Sequence, residues 1–189
     1  MPDLLPIVAG SDLPDPVRAV IAPGEEVQDA HGHRRVRPFH FYRVESWQQA
    51  RELELAPFMS LWELISVDVR EHPAMRAFPR FVPCAVTVLA AHLSALRQYF
   101  GTYLHVSANG GYRSPSHDRG GAGTLHAWGT AADIYRIGDD YLDEQETIET
   151  YRKKIEQVMP ALRCKPFGHD PGETDDHLHV DLGYLVVEP

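Results

Sequence analysis

Residues 126–137 read HAWGTAADIYRI, and the interpretation of the whole chain starts from this stretch. Its second half, residues 131–137, is short, apolar and preceded by a glycine, which predicts a β-strand. The strand carries one carboxylate, Asp133, among apolar neighbours. A carboxylate in such surroundings needs a partner, and a metal ion is a suitable one. His126 lies seven residues earlier, so we treat His126 and Asp133 as a candidate pair of metal ligands.

A glycine-rich loop, residues 120–129, contains His126 and leads into this strand. Glycine allows sharp bends, so side chains seven residues apart can meet at one point. Taken alone, the pair is a weak signal, because a histidine and an aspartate at this spacing are common.

Residues 177–181 read HLHVD and supply a second histidine-containing strand. On a strand, His177, His179 and Asp181 project from one face, while the residues between them face a core. A lone H-x-H pair is equally consistent with a solvated polar face. In combination with the first stretch, His179 completes a set of two histidines and one aspartate. Three protein ligands leave a fourth position for water, which is typical of catalytic zinc sites.

Three motifs in this order resemble the zinc D-Ala-D-Ala carboxypeptidase family of metallopeptidases, which shares its fold with the hedgehog signalling domain. They are Y-R-S-P-x-H at 112–117, H-x-x-G-x-A-x-D at 126–133 and H-x-H-V-D at 177–181. The resemblance covers roughly residues 80–186. Residues 39–79 correspond only weakly to the family's opening segment, and residues 1–38 have no counterpart.

The resemblance implies a role for each matching residue. His126, Asp133 and His179 fall at the positions of the ligands of a single Zn²⁺ ion. Arg113 falls at the arginine that holds the terminal carboxylate of the substrate. Its neighbours Tyr112 and Ser114 are further candidate substrate-binding residues.

The resemblance also implies the catalytic pair. Asp176 stands three residues before the last ligand, where many members have a glutamate that acts as general base. His177 matches a histidine beside the metal that stabilises the oxyanion. Asp181 is expected to orient a histidine ring. Gly110 replaces a serine of the family motif, which puts one substrate hydrogen bond in question.

These residues favour a peptidase that acts on a peptidoglycan peptide or its precursor, with a D,D-carboxypeptidase as the first choice. An endopeptidase of the same polymer, such as a phage lysin, is the nearest alternative. A non-catalytic, zinc-stabilised binding domain of the hedgehog type is another. An iron(II) oxygenase with two histidines and one carboxylate fits less well, because such enzymes usually carry H-x-D or H-x-E.

Composition further narrows the possible classes of protein and of partner. The chain has 189 residues and a formal net charge of −9, which argues against nucleic acid as a partner. Its longest apolar stretch, residues 82–96, is too short and too polar to span a bilayer. The first residues do not form a secretory signal, so the cellular location stays open between the cytoplasm, a phage-encoded protein and another export route. We expect a monomer with two free thiols.

Periodicity predicts an α+β fold, in which a small antiparallel sheet is covered by helices, as in the hedgehog/D,D-peptidase fold. Residues 1–38 are rich in proline and are interpreted as an arm or irregular extension, followed by one domain over 39–189. The predicted helices cover 46–55, 61–69, 82–100 and 143–162, and the predicted strands cover 103–108, 131–137 and 177–187. Asp143 and Glu146 have capping-box spacing.

Overall fold

The chain combines short antiparallel strands with helices in a computed structural model that describes residues 5–117, 121, 123–170 and 172–188. Within these residues there are six α-helices and twelve strands. The helices are α1 (Asp15–Ile21), α2 (Trp47–Glu52), α3 (Leu61–Ile65), α4 (Pro73–Arg76), α5 (Val86–Phe100) and α6 (Gln145–Val158). The strands are β1 (Ile7–Ala9), β2 (Glu26–Gln28), β3 (Arg34–Val36), β4 (His40–Val44), β5 (Glu54–Ala56), β6 (Met59–Ser60), β7 (Arg80–Pro83), β8 (Leu104–Val106), β9 (Ala131–Ile137), β10 (Asp140–Tyr141), β11 (Arg163–Cys164) and β12 (Leu178–Asp181).

Strand β9 organises the larger sheet and has the predicted bounds. It pairs antiparallel with β8, β10 and β12, and β12 in turn pairs with β11. The register between β9 and β12 sets His179 directly opposite Asp133. The strand predicted over 177–187 is shorter than expected, because the chain turns at Gly183, where φ is +69°. A left-handed backbone of this kind suits glycine.

Helix α5 is the longest helix, and it begins later than predicted. Residues 80–83 form β7, which pairs with β4 at the edge of a three-stranded sheet ordered β1-β4-β7. An edge strand tolerates Pro83, which lacks an N–H group. The helix ends as predicted at Gly101, which has a left-handed φ of +66°.

The other three predicted helices, α2, α3 and α6, are confirmed in position but are shorter than predicted, whereas α1 and α4 were not predicted. Ser46 caps α2, where its hydroxyl accepts a hydrogen bond from the Gln49 N–H at 3.1 Å. Helix α6 stops before Pro160, and its N-cap is Glu144 without a side-chain bond. The capping box predicted from Asp143 is therefore wrong.

The first 38 residues contain regular elements, although their composition predicts an irregular arm; residues 1–4 lie outside the described part. Strand β1 pairs with β4, and α1 carries a proline in its first turn. Leu5, Leu13 and Val17 are buried in the same core as the rest of the chain. A three-residue strand and a seven-residue helix are too short to leave a clear periodicity in the sequence.

The predicted α+β class is confirmed, since the sheets are antiparallel and the helices pack on them through one core. Among the described residues, no helix has the length and apolar character needed to cross a membrane.

Candidate metal centre

Three predicted ligands come together although they lie on three different elements. His126 lies on a 3₁₀ turn, Leu125–Trp128, whereas Asp133 lies on β9 and His179 on β12. All three side chains are buried, and one ligand atom from each lies within 4.8 Å of the others. The group could therefore hold a metal ion.

The tautomer of His126 shows that this group suits a cation. Nδ1 of His126 lies 2.9 Å from the carbonyl oxygen of Gly111, which can only accept, so Nδ1 carries the proton. Nε2 then faces Oδ1 of Asp133 at 3.3 Å. Burial lowers the pKa of His126 more than the Asp133 carboxylate raises it, so the ring is neutral. A lone pair that faces a carboxylate is repulsive unless a cation lies between them, and the donor set fits a metal ion.

His179 is oriented from two sides. Its Nδ1 lies 2.8 Å from Oδ1 of Asp133, and its Nε2 lies 3.5 Å from Oδ2 of Asp181. Asp181 is itself held, because its Oδ1 accepts a hydrogen bond of 2.8 Å from the N–H of Gly183. A carboxylate behind a ligating histidine fixes the ring and its tautomer. Asp181 thus lies where it can orient His179.

Asp133 is the electrostatic centre of the group. Burial would raise the pKa of this carboxyl, but contacts with the His177 and His179 rings hold the pKa well below its usual range. The side chain is therefore ionised, as a metal ligand must be. Its second oxygen, Oδ2, lies 3.2 Å from Nη1 of Arg113.

A cleft of about 180 Å³ adjoins the buried group and contains the predicted catalytic pair. Nε2 of His177 lies 3.4 Å from Oδ1 of Asp133, and Nδ1 of His177 lies 2.5 Å from Oδ1 of Asp176. The side chain of Asp176 is 70% exposed, so its carboxylate is accessible from solvent. The cleft is lined by Arg70, Ser107, Ala108, Asn109, Arg113, Asp133, Tyr135, Asp176 and His177.

Arg113 lies in this cleft, and its guanidinium contacts Asp133 of the candidate metal-binding group. Nη1 donates to the carbonyl oxygen of Asn109 at 2.5 Å as well as to Asp133. The side chain is mostly buried. The cleft thus has a fixed positive charge on one side of Asp133 and the His177 ring on the other.

Tyr112 and Ser114 lie away from the cleft, although the motif predicts both as substrate-binding residues. Tyr112 is 2% exposed and packs in the hydrophobic core. Ser114 is fully buried, and its N–H and hydroxyl both donate to the carboxylate of Glu71, at 2.7 and 2.6 Å. Arg113 thus lines the cleft, whereas both of its neighbours in the chain are buried.

Sequence reasoning missed the residues that support this segment. Glu71 lies 43 positions from Ser114 and has no local signal that points to the contact. Asn109 adopts a left-handed φ of +62°, and its Oδ1 accepts a hydrogen bond of 3.0 Å from the N–H of Asp68. The pair Asn109-Gly110 is a turn signal that could have indicated this bend. Residues 120 and 122 of the glycine-rich loop, and residues 118–119 before it, lie outside the described residues.

Comparison with protein-family models, with curated proteins and with solved structures finds no match to this chain. Only the side chains themselves therefore bear on the function. They provide a buried His–Asp–His group that could hold a metal ion, and beside it a cleft with an arginine and an aspartate–histidine pair.

Proposed function

We propose that this chain is a zinc-dependent peptidase that removes the C-terminal residue of peptidoglycan-type peptides, with D-Ala-D-Ala ends as the first-choice substrate. One observation carries the proposal. Asp133, which belongs to the His126–Asp133–His179 group, lines the same cleft as Arg113 and the Asp176–His177 pair.

The donor set supports zinc as the metal. Two imidazole nitrogens and one carboxylate oxygen are ligands that zinc accepts, whereas calcium and magnesium favour oxygen ligands. Three protein ligands leave a position open, as in catalytic zinc sites. When bound, zinc would polarise the scissile carbonyl and lower the pKa of a bound water molecule.

Arg113 supports an exopeptidase, because it provides an anchor for a terminal carboxylate next to the reacting centre. Arginine binds carboxylates through two parallel N–H bonds, which fixes both position and orientation. Arg113 contacts Oδ2 of Asp133, whereas His177 approaches Oδ1 of the same carboxylate. Arg113 and His177 thus contact different oxygens of one ligand, which places the anchor next to the catalytic pair.

The Asp176–His177 pair supports hydrolysis rather than binding alone. Burial by itself would lower the pKa of His177, but the carboxylates of Asp133 and Asp176 raise it. The raised pKa favours a proton at Nε2 of His177, where it can stabilise negative charge on the carbonyl oxygen of the substrate. The exposed Asp176 carboxylate acts as general base: it takes a proton from the water molecule that attacks the scissile carbonyl, and it delivers that proton to the amine released when the C–N bond breaks.

The test combines metal analysis with product analysis. We expect about one zinc per chain in protein purified without chelator, and release of D-Ala from a peptide ending in D-Ala-D-Ala. Asp176→Asn should retain zinc and lose turnover by about 100-fold or more, since general base catalysis contributes on that order. Asp175→Asn, a neighbouring exposed acid, is the matched control and should behave as wild type.

Other results would support the alternatives. Bound iron in place of zinc would favour the oxygenase. Zinc without turnover in either wild type or Asp176→Asn would favour a binding domain. Release of internal fragments without free D-Ala would favour an endopeptidase.

A further inference from the structure

An open groove of about 500 Å³ lies beside the cleft of the candidate metal centre. Ser107, Ala108 and Tyr135 line both spaces, so the groove and the cleft share a wall. Tyr135 is two residues after Asp133 on β9, and side chains at that spacing project from the same face of a strand. Arg113 lines the cleft but not the groove, so the groove leads away from the carboxylate anchor.

Aromatic rings form much of the groove. Trp62, on α3, lines it and is 42% exposed, so part of its indole ring is accessible to a ligand. The ring of His105, on β8, lies 6.0 Å from that of Tyr135. Rings of this kind provide large, stiff contact surfaces that lose little conformational entropy when a ligand binds.

The polar groups of the groove are neutral or already paired. Nε2 of His105 lies 3.0 Å from the guanidinium of Arg136, which can only donate, so Nε2 accepts and Nδ1 carries the ring proton. Burial and the nearby arginines lower the pKa of His105, which keeps the ring neutral. The Glu63 carboxylate is bonded to Arg97 at 2.5 Å. The groove therefore presents apolar surface and uncharged donors such as His105 Nδ1–H and the Ser66 hydroxyl.

We propose that this groove binds the uncharged peptide segment on the N-terminal side of the scissile bond, so that the chain favours substrates longer than a dipeptide. This inference rests on the proposed function, because the anchor at Arg113 determines which end of the peptide lies in the cleft. The residues before the scissile bond then leave the cleft past Tyr135 and reach Trp62. A volume of about 500 Å³ is enough for a ligand of a few residues.

The first test compares two substrates with the same C-terminal end. The short one is acetyl-D-Ala-D-Ala, and the long one carries three further uncharged residues before D-Ala-D-Ala. We expect kcat/KM of the wild type to be about tenfold higher for the long substrate than for the short one. Trp62→Ala should remove this preference and leave kcat/KM for the short substrate unchanged. Tyr99→Ala, which removes an exposed aromatic side chain outside the groove, should keep the preference. A preference that survives Trp62→Ala, or that wild type lacks, would overturn the proposal.

A second test separates failure of the groove from failure of the proposed function. A long peptide whose terminal amide is replaced by an uncleavable –CH₂–NH– linkage is titrated into the zinc-loaded protein, and the NMR signal of the Trp62 indole N–H is followed. We expect the long peptide to shift this signal and a short analogue to leave it unchanged. Ser66→Tyr, which places a larger side chain in the groove, should weaken binding of the long peptide alone. If neither substrate is hydrolysed but the signal shifts, the proposed peptidase activity is wrong, whereas the proposed binding of peptide in the groove is supported. If the signal does not move, the groove proposal fails.

Discussion

Asp181→Asn tests whether the carboxylate of Asp181 orients the His179 ring. Oδ1 of Asp181 accepts the Gly183 N–H at 2.8 Å, and Oδ2 lies 3.5 Å from Nε2 of His179. Asparagine has the same shape, and its carbonyl oxygen can keep the Gly183 bond. Its amide group then faces Nε2 with donors. Because Nε2 carries the proton when Nδ1 is the ligand, two donors oppose each other and His179 loses the carboxylate that orients it.

The size of the effect follows from the role of such a carboxylate. Removing the hydrogen-bond partner of a ligating histidine typically costs about 10- to 100-fold in metal affinity. This loss corresponds to about 1.4–2.7 kcal/mol. Zinc that binds only the folded chain stabilises it by mass action, so at a fixed saturating zinc concentration the loss is one of folding free energy. For a chain of 189 residues, the melting temperature should then fall by about 3–10 °C.

The assay is thermal unfolding followed by circular dichroism, over a zinc series and in chelator. The quantity compared is the difference between the melting temperatures with zinc and in chelator. This difference cancels any effect of the substitution on the stability of the metal-free protein. Asp139→Asn, an exposed acid near β9, is the control and should show the wild-type gain. An equal zinc-dependent gain in Asp181→Asn and wild type would refute the role assigned to Asp181.

Three further predictions concern residues outside the His126–Asp133–His179 group. Glu71→Ala should lower the free energy of unfolding in urea by about 2–4 kcal/mol, because the buried N–H and hydroxyl of Ser114 lose their acceptor. A change of less than about 0.5 kcal/mol, which is typical of a surface substitution, would contradict this prediction. Tyr112→Phe should have a free energy of unfolding equal to that of wild type, higher, or lower by no more than about 1 kcal/mol, since the buried hydroxyl has no hydrogen-bond partner among the described residues. Its turnover of peptide should be normal. A large loss of turnover would instead return Tyr112 to the substrate site. Burial raises the pKa of Cys84 to about 11 and that of Cys164 to about 12, so both thiols should react slowly with a disulfide reagent at pH 8 until the chain is unfolded. Rapid reaction of the folded protein would show that these thiols are not protected by burial.

The strand that carries Asp133 shows what local sequence can predict. Its bounds follow from an apolar run between two glycines, and the structure has the same bounds. The antiparallel pairing of β9 with β12, by contrast, joins residues 46 positions apart at Asp133 and His179. Motif order suggested that these residues meet, but the register that places them opposite each other depends on hydrogen bonds between distant strands.

Helix α5 shows why a periodic pattern can mislead. Val82 and Val86 are spaced as on a helix face, and this spacing extended the predicted helix to residue 82. Val82 instead lies in β7, opposite Tyr42 on β4. Pairing with a strand 40 residues earlier outweighs the local preference, since backbone hydrogen bonds and burial are gained together.

The sequence by itself determined the α+β class, the central strand and the identity of the three candidate metal ligands, because these depend on local spacing and on the chemistry of histidine and aspartate. Only the tertiary structure decided which motif neighbours face the cleft: Arg113 does, whereas Tyr112 enters the core and Ser114 bonds Glu71. The groove beside Trp62 was likewise not predictable from the sequence, since its walls come from α3, β8 and β9. The physical reason is the same in each case: burial and long-range hydrogen bonds are properties of the packed chain, and no local pattern encodes them.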